Sequence, residues 1–230
     1  MIRKIAVFYH ALFFYGDPPA LIPNALSIVF EQMEALKDSG LLEACDELIV
    51  GVNGGPESEA VARRVLPEKA HIIFHGLQSR SENLTLIEIE KWAPKHPNWN
   101  ILYFHTKGVT HVPGSVYHNV AREWRRSMMM DLVTNWRTCV SDLHDHDIAC
   151  SCWEWGMCDG TQNIPPGNFL WLRSNFAIQL PSLYTRARIQ QSGISSLESR
   201  YESEVFWGNG PKPSVKQYRP YWRPWHEMGK

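Results

Sequence analysis

Ile101-Leu102-Tyr103-Phe104-His105-Thr106-Lys107-Gly108 passes from four consecutive apolar residues to three polar ones and a glycine. Asn98 and Asn100 precede the apolar run, and a short run bounded in this way reads as a strand buried on both faces. His105, Thr106 and Lys107 then fall at the carboxyl end of that strand, where open α/β sheets bind their ligands. All three can donate hydrogen bonds, and a lysine beside a histidine suits an anionic group such as a diphosphate. The same letters also describe an ordinary strand exit with solvated side chains.

Upstream, strand and helix signals alternate. Lys4 to Phe8 reads as a first strand running into Tyr9-His10-Ala11. Ala25, Ile28, Val29, Met33 and Leu36 mark a helix over Asn24 to Asp38, ended by Gly40. Glu47 to Val52 reads as a second strand, closed by the turn Asn53-Gly54-Gly55-Pro56. A helix over Glu57 to Leu66, a strand over Ala70 to Phe74 and a helix over Glu82 to Ala93 follow, the last stopped by Pro94. This alternation predicts an α/β fold with a mostly parallel central sheet flanked by helices. Downstream, Trp124, Met128, Leu132, Trp136, Val140 and Leu143 predict one long helix over Ala121 to His144. Ile148 to Cys152 and Asn168 to Leu172 read as strands separated by a Gly/Pro/Asn-rich loop. Ser182 to Gln191 reads as a helix, and Gly208 to Lys230 as irregular.

Composition bounds the function. A chain of 230 residues suits one full-sized domain, and a formal charge of -1 supplies no global field towards nucleic acid or anionic membrane. No apolar run approaches the roughly 20 residues that span a bilayer. Five cysteines without scaffold density fit a reducing cytoplasm. Cys150, Cys152 and Cys158 do not have the paired spacing of a closed zinc site and read as buried thiols.

Three pieces stand in order: Phe104-His105-Thr106-Lys107-Gly108, Trp124-Arg125-Arg126, and Gly167-Asn168-Phe169-Leu170-Trp171. This order resembles a group of GT-A-like glycosyltransferases related to polysaccharide and rhamnan synthesis proteins, with viral and phage members, over roughly residues 1–210. The resemblance implies a Rossmann-like GT-A fold and a transferase that moves a sugar from a nucleotide-sugar donor to a hydroxyl acceptor. Residues 1–108 would form the nucleotide-binding half, 109–210 the acceptor-binding half, and 211–230 a tail packed near the site. Many GT-A enzymes carry Asp-X-Asp at the end of the fourth strand to hold a divalent metal. Here His105-Thr106-Lys107 takes that place, and these groups are poor ligands for a hard cation. The expectation is therefore metal-independent chemistry with no required cofactor. Manganese or magnesium is the alternative, with His226 as a late ligand. Asp145-His146-Asp147, the literal Asp-X-Asp, reads as a solvated cap before a strand.

Within this scheme Lys107 is the first candidate for the diphosphate, with His105, Thr106 and Arg125 beside it. Tyr9 and His10 would meet the nucleotide base, and Asn53 the ribose or base. Gly167, Asn168 and Trp171 would face the acceptor. Glu204, with Glu202 second, is the candidate base for the acceptor hydroxyl. On a strand these two acids share a face; on a helix they diverge. Two other functions fit the same letters: a non-catalytic module that binds a glycan or partner through its tryptophans, and a viral-type transferase acting on nucleic-acid bases. The near-neutral charge speaks against the second.

Overall fold

The computed structural model describes residues 3–15, 20–22, 24–77, 82–156, 162–183 and 200–219. Its framework is a seven-stranded, mostly parallel sheet flanked by helices, as the alternation predicts. Strand β1 (Ile5–Leu12) is buried at every position, so it continues through Tyr9-His10-Ala11 rather than stopping at Phe8. A strand paired on both sides and covered on both faces has no solvent-facing side to signal in sequence. The short pair β2 (Phe14–Tyr15) and β3 (Ala20–Leu21) follows, then α1 (Ala25–Asp38), α2 (Leu41–Ala44) and β4 (Glu47–Asn53). Next come α3 (Pro56–Val65), which begins on a proline, β5 (Ala70–Gly76), α4 (Asn83–Trp92) and β6 (Asn100–His105).

The expected helix over 121–144 is two helices. α5 (Val116–Met129) starts earlier, where Ser115 Oγ accepts from the His118 amide, and a π-helical turn (Met130–Thr134) joins it to α6 (Trp136–Asp142). Trp171 Nε1 donates to the Leu132 carbonyl inside that turn at 2.7 Å, taking up an acceptor that regular helix geometry would have used. Strands β7 (Ile148–Cys150), β8 (Glu154–Gly156), β9 (Gln162–Ile164), β10 (Leu170–Arg173) and β11 (Val215–Gln217) complete the structure, with β8 and β9 forming a separate pair. The short helices Ser174–Ala177 and Arg200–Val205 lie between β10 and β11. Most of the helix expected over Ser182 to Gln191 lies outside the described residues, as do Cys158, His226 and the tail from Pro220 onward.

The sheet order is β11-β7-β10-β6-β1-β4-β5, and β10 alone runs against the rest. Both expected halves therefore build one sheet, and β11, from the start of the expected tail, extends it along β7. Alternation along each strand feeds two cores. Val7, Tyr9, Leu102, Phe104 and Trp171 pack with α1 and α5 through Ile28, Leu36, Trp124 and Met128. Phe8, Ile101, Tyr103 and Leu172 pack with Leu86, Ile89, Phe206 and Trp207 on the α4 side. Among the described residues no helix is long and apolar enough to cross a membrane.

Candidate functional site

The chain leaves β1 towards β4 on one side and later returns to β6 on the other, so strand order reverses between β1 and β6. In doubly wound sheets the crevice at such a switch point, at the carboxyl ends of the strands, is where ligands bind. His10 sits there, paired in register with Gly51 of β4 and with His105 of β6. It shares the α4-side face with Phe8 two residues before it, as His105 does with Tyr103.

His10 is 4% exposed, and its Nδ1 lies 2.8 Å from Thr85 Oγ1 in the first turns of α4. Thr85 Oγ1 in turn lies 3.3 Å from His75 Nε2, at the end of β5. A histidine–hydroxyl–histidine chain therefore runs from the switch point to the outer strand. Gly51 makes room for it: a β-carbon there would stand 2.0 Å from Thr85 Oγ1 and 2.6 Å from His75 Nε2. Burial, followed by the neighbouring His105 and His75, pushes the His10 pKa well below the usual imidazole value, and burial lowers His75 as well. Both rings are thus neutral at physiological pH. Among the described residues no group hydrogen-bonds the second ring nitrogen of His10.

A half-buried carboxyl group adjoins this chain. Glu82 Oε2, just before α4, accepts from the Tyr103 hydroxyl at 2.6 Å and from Asn168 Nδ2 at 2.7 Å, while Oε1 stands 3.7 Å from His105 Nε2. Burial and the Glu82 carboxylate push the Tyr103 phenol well above its ordinary pKa, so it stays a donor. Asn168 Oδ1 accepts from Trp207 Nε1 at 2.5 Å, which ties the segment after the helix Arg200–Val205 to the cluster. His105 Nε2 approaches the Gly167 carbonyl at 3.0 Å. Gly167 and Asn168 both have positive φ, 87° and 56°; a β-carbon on Gly167 would also meet Met128 Sδ at 2.8 Å and Trp124 at 2.9 Å. Glycine and asparagine are the residues that take this backbone cheaply.

The sheet divides the expected donor set. His10 and His105 face α4, whereas Thr106, Lys107 and Arg125 serve the α1–α5 side. Thr106 Oγ1 accepts from the Leu12 amide at 3.1 Å, locking β1 to the strand exit. Lys107 is 5% exposed, with Nζ 3.7 Å from the centre of the Trp124 ring. Arg125 is gripped by Glu31 (3.0 and 3.2 Å) and donates to the Lys107 carbonyl at 2.8 Å. The cations expected to meet a diphosphate thus occupy internal pairings, because the backbone turn after His105 carries the following side chains to the opposite face.

Tyr9 is wholly buried, its hydroxyl bonded to Gln32 at 2.8 Å and its ring against Phe104, so it acts in the core. Asn53 is buried where β4 ends, and its carbonyl accepts from the Phe13 amide. Trp171 is a core residue at the π-helical turn rather than an acceptor platform, since no part of it reaches solvent. Glu204 is half-buried on the helix Arg200–Val205, which touches α4 and β9. That segment is a helix rather than a strand, and the Glu202 side chain lies outside the described part of the structure. Asp145-His146-Asp147 precedes β7, at the amino edge of the sheet, where Asp147 pairs with Arg173 and accepts from the Ser214 amide.

Glu82, Thr85, His75, Tyr103 and Trp207 belong to the cluster without standing out in sequence. Glu82 looks like an acidic helix start, and the others look like packing residues. The one usable signal was a histidine at the exit of each of three parallel strands: His10, His75 and His105. Among the described residues no three His, Cys, Asp or Glu side chains converge on a metal position. Cys139 and Cys150 are buried thiols, burial pushing the first up to about 12 and the second well above its ordinary value.

No protein-family model and no curated protein matches the chain. Solved structures do. HddC from Yersinia pseudotuberculosis is similar over 94% of this chain and 90% of its own, with a TM-score of 0.50 at 8% identity. Rv0371c from Mycobacterium tuberculosis H37Rv, in a complex with manganese, aligns over 99% and 98% at 13% identity with a TM-score of 0.38. CMP:2-keto-3-deoxy-manno-octonic acid synthetase complexed with CTP aligns over 87% and 82% at 13% identity with a TM-score of 0.40. At such identities the likeness to HddC is one of fold.

Proposed function

We propose that the chain is a transferase acting on a nucleotide-activated sugar, and that it moves the sugar to a hydroxyl acceptor. The observation that supports this most directly is the His10–His105–Glu82 cluster, half-buried to buried, at the switch point of a sheet whose carboxyl edge is the expected ligand side.

In this reading the donor lies across the carboxyl ends of β1 and β6. His10, held neutral and fixed by Thr85, offers its second ring nitrogen to the donor. A neutral imidazole can polarise an oxygen without surrendering a proton at the wrong moment. The acceptor oxygen attacks the anomeric carbon, the bond from that carbon to the diphosphate breaks, and the hydroxyl proton passes to the Glu82 carboxylate beside His105. Glu204 is the second carboxylate for this step, on a helix packed against α4. Any divalent metal would have to find its ligands partly on the donor's phosphates, since the described side chains form no cage.

The test is incubation of the full chain with UDP-, GDP-, CMP- and dTDP-sugars, with and without EDTA, following nucleotide release and thermal shift. Release of nucleoside diphosphate (of CMP from CMP-sugars), lost on His10→Ala, supports glycosyl transfer. Pyrophosphate formed from a nucleoside triphosphate and a sugar phosphate would instead identify nucleotidyl transfer. Binding without turnover would identify a module that only holds its ligand.

A further inference from the structure

A cavity lies at the other end of α4. It has a volume of about 580 Å³ and opens beside the amino-terminal halves of β4 and β5, away from the His10–His105 cluster. Phe8, Ile49 and Ile73 form an apolar floor, and Trp92, at the last turn of α4, forms a wall. That indole is held firmly: it stacks on His96 at 3.9 Å, meets the Phe8 ring in a T-shaped contact at 5.5 Å, and donates to Glu47 Oε2 at 2.9 Å. A rigid aromatic wall over an apolar floor, of this volume, is the build of an ordinary small-molecule site, about 300–1,000 Å³.

The rim decides the ligand. Three carboxylates (Asp46, Glu47, Glu88) face three ammonium groups (Lys69, Lys91, Lys95), so the charges balance. Most are already engaged: Asp46 accepts from the Ile5 amide, Lys69 donates to the Leu42 and Cys45 carbonyls, and Lys91 pairs with Glu88 at 2.8 Å. Among the described residues a phosphate or nucleotide would find one cation at this rim, Lys95, not already committed, and would face three acids. A hydrocarbon would strip water from all six charged groups without replacing their hydrogen bonds. A neutral polyhydroxylated ligand satisfies both demands. Its hydroxyls can donate to Glu47 and Glu88 and accept from Lys91 and Lys95, while its C–H face lies on Trp92.

We propose that this cavity is a binding site for a neutral saccharide of one or two rings. It does not depend on the transferase reading, because none of its residues belongs to the switch-point cluster. Uniformly ¹⁵N-labelled full chain titrated with glucose, galactose, mannose, maltose and cellobiose tests it, with benzoate and inorganic phosphate as charged comparators. At least one saccharide is expected to shift the Trp92 indole signal and the amides of Lys91 and Lys95. Lys95→Ala and Glu88→Gln, both rim substitutions outside the core, should each weaken that saccharide about 5- to 10-fold. Arg122→Ala, on a distant exposed helix face, should leave it unchanged. The proposal is overturned if no saccharide shifts these signals, or if benzoate or phosphate shifts them more strongly than every sugar. Saccharide shifts confined to His10 and His105, or affinity unmoved by both rim substitutions, would overturn it equally.

Discussion

Replacing Glu82 separates what its carboxyl group does for the fold from what it does for the chemistry. Oε2 satisfies two donors, the Tyr103 hydroxyl at 2.6 Å and Asn168 Nδ2 at 2.7 Å, and both residues are 0% exposed. Glu82→Ala strands both in a dry site, at about 1–3 kcal/mol each. The expected loss is therefore about 2–6 kcal/mol, read as a fall in Tm of about 2–4 °C per kcal/mol for a domain of this size. Glu82→Gln keeps an acceptor oxygen for the Tyr103 and Asn168 donors, so its stability should fall by only about 1 kcal/mol. Its negative charge and its ability to take a proton are gone, and turnover of whichever nucleotide sugar the wild type uses should drop at least about 100-fold. Urea denaturation and nucleotide-release kinetics on the same preparations give both numbers. A Glu82→Gln protein that is stable and fully active refutes the assignment of the proton to Glu82 and leaves Glu204 as the candidate. A Glu82→Ala protein as stable as wild type refutes the account of the buried donors themselves.

Further expectations follow from neighbouring residues. Gly51→Ala places a methyl group inside the space held by Thr85 and His75, and overpacking of this kind costs about 1–3 kcal/mol; an unchanged urea midpoint would contradict it. Arg125→Met leaves Glu31 without its fork and the Lys107 carbonyl without its donor, so the urea midpoint should fall while donor affinity in the folded protein stays within about threefold; a selective loss of donor binding would return Arg125 to the site. Acid should unfold the protein through His10 and His75. Both have folded pKa values below the unfolded value near 6.5, so the unfolded chain binds more protons and stability falls as pH drops below about 6.5. The fully buried His10 sets the steepest part, up to about 1.4 kcal/mol per pH unit, and a flat stability profile between pH 7 and pH 5 would count against its burial as a neutral ring.

The fold was legible because its signals are periodic and local. Val7, Phe8, Ile49, Val50, Leu102 and Tyr103 sit in short apolar runs bounded by turns, and alternation with amphipathic helices leaves few topologies. The site was legible only in part, for a geometric reason. On a continuing strand His105 and Lys107, two letters apart, would share a face; β6 ends at His105 and the chain turns, so they separate, and nothing in their order says which joins the crevice. Glu82 and Asn168 are 86 residues apart in the chain and meet at 2.7 Å through the sheet's return path, a contact that periodicity does not encode. The π-helical turn was hidden similarly, since the apolar step of α5 and α6 continues across it while Asn135 changes the backbone.

The most direct test of the account is a crystal structure of the full chain with the nucleotide sugar that gives the largest thermal shift. The donor is expected across the carboxyl ends of β1 and β6, with His10 and His105 within hydrogen-bond distance of it and Glu82 facing the acceptor side. A donor bound instead against Lys107 and Arg125 on the α1–α5 face would contradict it, as would the absence of any bound nucleotide sugar at the switch point.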